Sequence, residues 1–408
     1  MTAASEGVWD RMIRQEISLE QAFAVIRGAM AEGGILASVA GQSAPPVIRE
    51  EEEDAPALDP SIQSVTSRLI RALLKDGAAN TDTCDAIRKT AALIEEGTGI
   101  SDIRKMRQHH VVELSDLLGR LPPSYRKSAK EREMPLREIA MKAEQEGRPV
   151  GLAAGTTNRI LQVFQQIVAR AGDEGIHIDP KLRPTALRRK KTKRSRNDRL
   201  AFTEDQLRRI FGAPTWTGCA NIARRHEPGD KIIQDGLYWL PLVAAYTGAR
   251  REEIAGLTVN DLHEEGGVWC FRFDENEERG IKTESSIRKV PVHPHLIELG
   301  ILNLRDGEGR LFPGLYRKSA KSKLGNCIDY NWRKIMSERL RPDELPRRCF
   351  HSFRHTVVDQ LGKMRDIRDR VIKDILGHTP TSITDRVYGS DSEPAEMLEA
   401  IQRIPRVF

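Results

Sequence analysis

Four short clusters in the second half of the chain carry residue types suited to chemistry on an anionic ester. Thr247-Gly248-Ala249-Arg250-Arg251-Glu252-Glu253 places an arginine where one predicted helix ends at Gly248 and the next begins. Glu253 lies three residues further on, so the two side chains share a helical face and the carboxylate can orient the guanidinium. In His351-Ser352-Phe353-Arg354-His355, His351 and Arg354 point the same way from a helix start while Phe353 turns to the core. Leu376-Gly377-His378 sets a histidine just beyond a glycine-ended helix, and Tyr388 follows within Thr384-Asp385-Arg386-Val387-Tyr388-Gly389. Guanidiniums are planar forks of donors that stay charged at any working pH, and imidazoles exchange protons near neutrality. Taken singly each cluster is ordinary: a surface Arg-Glu pair, a helix cap, a structural histidine, a packing tyrosine.

The elements that must position these residues begin near position 201. Thr203 and Gln206 have capping-box spacing, with Phe202 and Leu207 placed as the hydrophobic staple. Helical patterns run over 235–246, 251–257, 327–340, 352–363 and 367–376, and 268–273 and 288–292 read as strands. A short helix over 393–403 closes the chain. This predicts a mostly helical domain with a small sheet near its middle.

Upstream, 61–180 reads as all-helical. Ile62, Val65, Leu69, Leu73 and Leu74 keep helical spacing up to Gly77, and 85–94 and 110–118 are further candidates, the latter closed by Gly119 and Pro122-Pro123. The clearest helix is 157–171, where Ile160, Leu161, Phe164, Ile167 and Val168 form one stripe and Gly172 is the stop. Two charged stretches read as exposed linkers: the acidic, proline-flanked 50–60, and a basic run with ten Lys or Arg between Lys181 and Arg199. The predicted organisation is therefore an appendage at 1–49 with one helix at 18–30, a linker at 50–60, a helical domain at 61–180, a basic linker at 181–200 and a last domain at 201–408.

The bulk composition narrows the class. A chain of 408 residues suits two or three domains; net charge is +6, with 39% hydrophobic and 30% charged residues. No run approaches the roughly eighteen apolar residues of a membrane span, and the N-terminal residues lack a signal-peptide layout. Five scattered cysteines without a CxxC pair argue against a disulfide framework or a zinc site. A soluble cytoplasmic protein is expected. There is no GxxxxGK[ST] loop and no carboxylate cluster of the two-metal kind, so no cofactor or metal is implied.

Order and spacing lift the four clusters together: TGxRxxE, about a hundred residues, HxxRH, LGH, then a tyrosine. In this the sequence resembles the tyrosine recombinase, or phage integrase, family. The resemblance covers 61–408, specifically in the catalytic half and loosely in the helical half. It implies a helical core-binding domain joined to an α+β catalytic domain, and a site made of Arg250, Lys282, His351, Arg354, His378 and the nucleophile Tyr388, with Glu253 and His355 in support. Lys282, in Ile281-Lys282-Thr283 ahead of a VP-type strand, fits the family's hairpin lysine; Lys289 competes but lies inside the predicted strand. Ten residues separate His378 from Tyr388, one more than is common in the family.

The family chemistry cleaves and religates DNA through a 3′-phosphotyrosine. The partners it implies are double-stranded DNA and further copies of the chain, as a tetramer on two DNA sites, with accessory DNA-bending factors a further expectation and a nucleoid-associated location. DNA contacts are expected from Arg159, which opens the long 157–171 helix, and from Arg188, Arg189, Lys190, Lys191, Lys193 and Arg194 in the basic linker. The C-terminal helix would pack on a neighbouring protomer, or else on its own domain. A phage or other mobile element is the expected source. A type IB topoisomerase-like enzyme and a non-catalytic DNA-binding relative are the alternatives.

Overall fold

The computed structural model describes residues 58–190, 199–280, 286–319, 322–378 and 392–408. The predicted 18–30 helix, the rest of the 1–49 appendage and most of the acidic linker lie outside the described residues. The chain divides into two units, Met1–Lys190 and Lys191–Phe408.

The described part of the first unit is helical. Helix α1 (Ile62–Lys75) starts at Ser61, whose hydroxyl accepts the Ser64 N–H, and α2 (Thr81–Thr98) starts at Asn80, whose side chain accepts the Thr83 N–H. Such caps satisfy N–H groups that have no partner within the helix. Helices α3 (Gln108–Arg120), α4 (Leu136–Gln145) and α5 (Ala154–Asp173) follow. Val65, Leu69, Ile94, Leu114, Leu118, Leu161, Phe164 and Ile167 share one core, so the apolar stripe of α5 is its buried face. Two stops differ from the sequence reading: α3 runs through Gly119 and α5 through Gly172, because a glycine in a last turn costs only about 1 kcal/mol. Helix α4 was not anticipated. Leu136 and Ile139 are joined on its buried face by Ala140 and Ala143, too small to mark a stripe in sequence.

The first half of the basic linker is also not the free tether that its charge suggests. Leu182 is buried, a 3-10 turn spans Pro184–Leu187, and Asn158 on α5 holds the backbone of Arg189 from both sides. The Asn158 amide donates to the Arg189 carbonyl at 2.9 Å and its oxygen accepts the Arg189 N–H at 2.8 Å.

In the second unit α6 (Glu204–Phe211) carries the expected capping box, the Thr203 hydroxyl accepting the Gln206 N–H and the Gln206 side chain accepting the Thr203 N–H. A short α7 (Pro214–Thr217) precedes α8 (Gly236–Thr247), which starts at Asp235 and is buried at every position. Then come α9 (Arg251–Ala255) and a three-stranded antiparallel sheet, β1 (Leu262–Glu265), β2 (Val268–Phe273) and β3 (Arg288–Pro291), in that order. Leu262 faces Phe271, and Phe271 faces Val290. Strand β1 was missed because Leu-His-Glu-Glu shows no apolar alternation; the Gly266-Gly267 turn, both residues at positive φ, folds it back onto β2.

Helices α10 (Pro294–Glu298), α11 (Asp329–Arg339), α12 (Ser352–Gly362), α13 (Asp369–Leu376) and α14 (Pro394–Ile401) complete the unit. Phe353 on α12 lies at its centre, with ring centroids of Phe202, Trp332 and Phe350 within 5.1–5.4 Å. Helix α12 packs on α8 and α13, while α14 packs on β2, β3 and α13. Within the chain the C-terminal segment lies on its own domain: Ile404 and Val407 are buried and the Val407 N–H donates to the Tyr246 hydroxyl at 3.0 Å. The protein is thus mainly α with a small antiparallel sheet, and no described helix is long and apolar enough to cross a membrane.

Candidate active site

Three helix ends meet where the sequence clusters lie. Helix α8 ends at Gly248, which takes the left-handed conformation (φ 62°), so that α9 begins at once with Arg250 as its cap. Only glycine suits this corner. A Cβ at Gly248 would stand 2.9 Å from Leu376 Cδ2 and 3.2 Å from Val357 Cβ, on α13 and α12 respectively. Helix α13 ends on the left-handed Gly377, and the His378 N–H turns back to the Lys373 carbonyl at 3.0 Å. That six-to-one bond is a Schellman closure, and it places His378 just past the helix.

Arg354 joins all three. From the first turn of α12 its Nη1 donates to the Gly248 carbonyl at 3.1 Å and its Nη2 to the Leu376 carbonyl at 2.5 Å. Its side chain is buried, and among the described residues no carboxylate forms an ion pair with it. Burial, followed by the charges of Arg250 and Arg288, brings its pKa down to about 10, which leaves it charged at neutral pH. Two neutral carbonyls fix the fork without cancelling the charge.

Arg250 is differently held. Glu253 accepts the Arg250 backbone N–H on Oε2 at 2.9 Å and its Nη1 on Oε1 at 2.5 Å, closing a capping box, while 41% of the Arg250 side chain stays exposed. Burial works to raise the Glu253 pKa, but the Arg288 charge and hydrogen bonds from Arg288 and Arg250 outweigh it and hold the carboxyl at about 2. The orienting role expected of Glu253 has this geometry behind it.

Arg288 was not singled out in the sequence. It opens β3, is buried, and donates from Nη2 to Glu253 Oε2 at 2.9 Å, from Nε to the Ile375 carbonyl at 3.0 Å and from Nη1 to the Ser286 carbonyl at 3.0 Å. Its guanidinium lies over the Phe273 ring, 4.4 Å from the centroid. The signal available was an arginine two residues before Val290, on the same face of a stretch reading Arg-Lys-Val-Pro-Val.

The histidines are held neutral. Burial, then the charges of Arg199, His355, Arg354 and Arg250, push His351 down to about 4. His355, whose ring packs edge-on to that of His351 with centroids 5.4 Å apart, is lowered by burial and by Arg199 and Arg354. His378 is lowered by burial and by Arg354, Arg250 and Arg288. Among the described residues the cluster sets the guanidiniums of Arg250, Arg288 and Arg354 against the Glu253 carboxylate, with neutral imidazoles able to accept or donate a proton. This arrangement favours an anion that gains charge as it reacts.

Arg250, Glu253, His351, Arg354, His355 and His378 are thus brought together. Lys282 and Tyr388 lie outside the described residues. Lys289, the competitor for the lysine position, is exposed on β3 and paired with Glu265 on β1 at 2.6 Å. In the helical unit Arg159 is exposed on α5, Arg188 pairs with Gln162, Arg189 reaches the Ser115 carbonyl at 2.8 Å and Lys190 is exposed. Lys191, Lys193 and Arg194 lie outside the described residues.

No family model matches this sequence, and no curated protein does. Among solved structures, a lambda integrase tetramer bound to a Holliday junction is similar with TM-score 0.48 at 15% identity, covering 91% of this chain and 90% of that one. The Tn1549 transposon integrase in complex with transposon right end DNA is similar with TM-score 0.46 at 16% identity, covering 83% and 98%.

Proposed function

We propose that the chain is a site-specific tyrosine recombinase that cleaves and rejoins duplex DNA through a 3′-phosphotyrosine on Tyr388. The observation that carries this reading is Arg354: a buried guanidinium that draws together the TGxR, HxxRH and LGH segments and keeps its charge for an anion. A phosphodiester bears one negative charge and gains more at its transition state, which suits a cluster with two positive charges in excess. Arg250 and Arg354 take the non-bridging oxygens, and His378 donates a further hydrogen bond. A lost donor of this kind costs about 3–4 kcal/mol in the barrier.

The Tyr388 hydroxyl has an ordinary pKa of about 10 and must lose its proton as it attacks. His351, neutral at working pH, takes that proton. A bond forms between the Tyr388 oxygen and phosphorus, the bond to the 5′ oxygen breaks, and Lys282 supplies the proton that the 5′ oxygen gains. One phosphate ester replaces another, so religation to a new 5′-hydroxyl needs no nucleotide. The basic residues from Arg188 onward add salt-dependent affinity for the DNA backbone without sequence preference. Assembly of four copies on two duplexes, in the service of a phage or other mobile element, completes the reading.

The test is a pool of nicked suicide duplexes carrying randomised sequence, from which covalent adducts are trapped and sequenced. A wild-type adduct mapping to Tyr388 and absent from Tyr388→Phe is expected. An adduct that forms equally well in Tyr388→Phe sinks the assignment.

A further inference from the structure

We propose that Arg288 is a positioning residue that keeps Arg250 available to the scissile phosphate by holding the charge of Glu253. The inference rests on the strand-transfer reading above and adds a residue to it. Glu253 Oε2 is shared between the Arg250 backbone N–H and Arg288 Nη2, both at 2.9 Å, leaving Oε1 to aim the Arg250 guanidinium. With Arg288 present, one carboxylate faces two guanidiniums and Arg250 retains net positive charge. Without it, Arg250 and Glu253 form a neutral pair, and the carboxylate is free to rotate about its last torsion.

Arg288 also reaches the other side of the site. Its Nε holds the Ile375 carbonyl and Arg354 holds the next one, Leu376, so two arginines close the C-terminal end of α13. Cations there are favoured by the helix dipole, and the pair fixes the turn that presents His378. Each of the three guanidinium nitrogens of Arg288 is bonded within the protein, Nη2 to Glu253, Nε to Ile375 and Nη1 to Ser286, so its action runs through Glu253 and α13.

The experiment uses the full chain and the duplex selected from the suicide pool, prepared with either a phosphodiester or an uncharged methylphosphonate at the cleaved position. Arg288→Met is expected to slow adduct formation about 10- to 100-fold on the phosphodiester but less than about threefold on the methylphosphonate, which makes little demand on guanidinium charge. Arg288→Met combined with Glu253→Gln, which removes the unbalanced carboxylate, is expected to recover part of the phosphodiester rate. If Arg288→Met does not fold, Arg288→Gln is read the same way, since it also removes the charge facing Glu253 while keeping a hydrogen-bonding side chain. Equal losses on both substrates, or no loss on either, overturn the proposal. A wild-type chain that forms no adduct overturns the strand-transfer reading itself and this role with it.

Discussion

Gly248→Ala tests whether the corner between α8 and α9 is as tightly specified as its surroundings indicate. The backbone there has φ of 62°, and a left-handed conformation costs a residue with a Cβ about 1–2 kcal/mol. The new methyl would also stand 2.9 Å from Leu376 Cδ2 and 3.2 Å from Val357 Cβ, side chains already buried in the core or against it. Overpacking of this kind costs about 1–3 kcal/mol, so the expected loss is about 2–5 kcal/mol in total. Gly266→Ala is the matched control in the same unit: φ is 57°, and nothing lies within 4 Å of the added Cβ. It should lose only the backbone part, about 1–2 kcal/mol. Urea unfolding followed by tryptophan fluorescence measures both, because Trp216, Trp239, Trp269 and Trp332 report on the second unit and residues 58–190 contain no tryptophan. With a slope of about 2 kcal/mol per molar, a loss of about 3 kcal/mol moves the midpoint by about 1.5 M. A Gly248→Ala variant no less stable than Gly266→Ala refutes the reasoning, as does one that is destabilised yet forms adduct at the wild-type rate, since the Gly248 carbonyl is an anchor for Arg354.

Three further outcomes are expected. His351 and His293 are both lowered to about 4 by burial first, so the unfolded chain binds their protons near pH 6.5 while the folded chain does not; stability should fall as pH drops from about 6.5 towards 4, and His293→Gln should flatten that fall in a denaturation series. Phe353→Ala should cost about 3–5 kcal/mol by calorimetry, because the ring is fully buried among Phe202, Phe211, Trp332 and Phe350. Asn158→Ala should release the segment around Arg189, seen as faster trypsin cleavage after Arg188, Arg189 and Lys190, with a stability change of about 1–3 kcal/mol; unchanged cleavage there would show that Leu182 and Pro184 hold the segment without it.

Much of the site was legible because its residues lie at helix ends, where glycine and capping signals mark the chain strongly. Gly248 and Gly377 announced both turns, and the spacing of Arg250 to Glu253 and of His351 to Arg354 is that of a helical face. Arg288 was hidden for the opposite reason. It belongs to a strand whose pattern reads as simple β-structure, and its partner Glu253 lies 35 residues earlier in the chain, beyond the reach of any local pattern. The docked half of the basic linker escaped notice because Asn158 and Gln108 hold it by its backbone atoms and Leu182 by burial, none of which charge composition records. Helix α4 and strand β1 carry too few large apolar residues for periodicity to speak.

The double anchoring of Arg354 bears on how inactive versions of this protein should be made and recognised. A side chain that ties the ends of α8 and α13 to α12 serves the shape of the molecule as well as the proposed reaction. Copies that have lost activity over generations should therefore keep Arg354 long after Arg250 or Tyr388 has drifted, and its retention in a sequence is evidence of an intact fold before it is evidence of a working enzyme. In the laboratory the same coupling makes Arg354 a poor place for a catalytically dead control, since the variant would lose its architecture together with its chemistry.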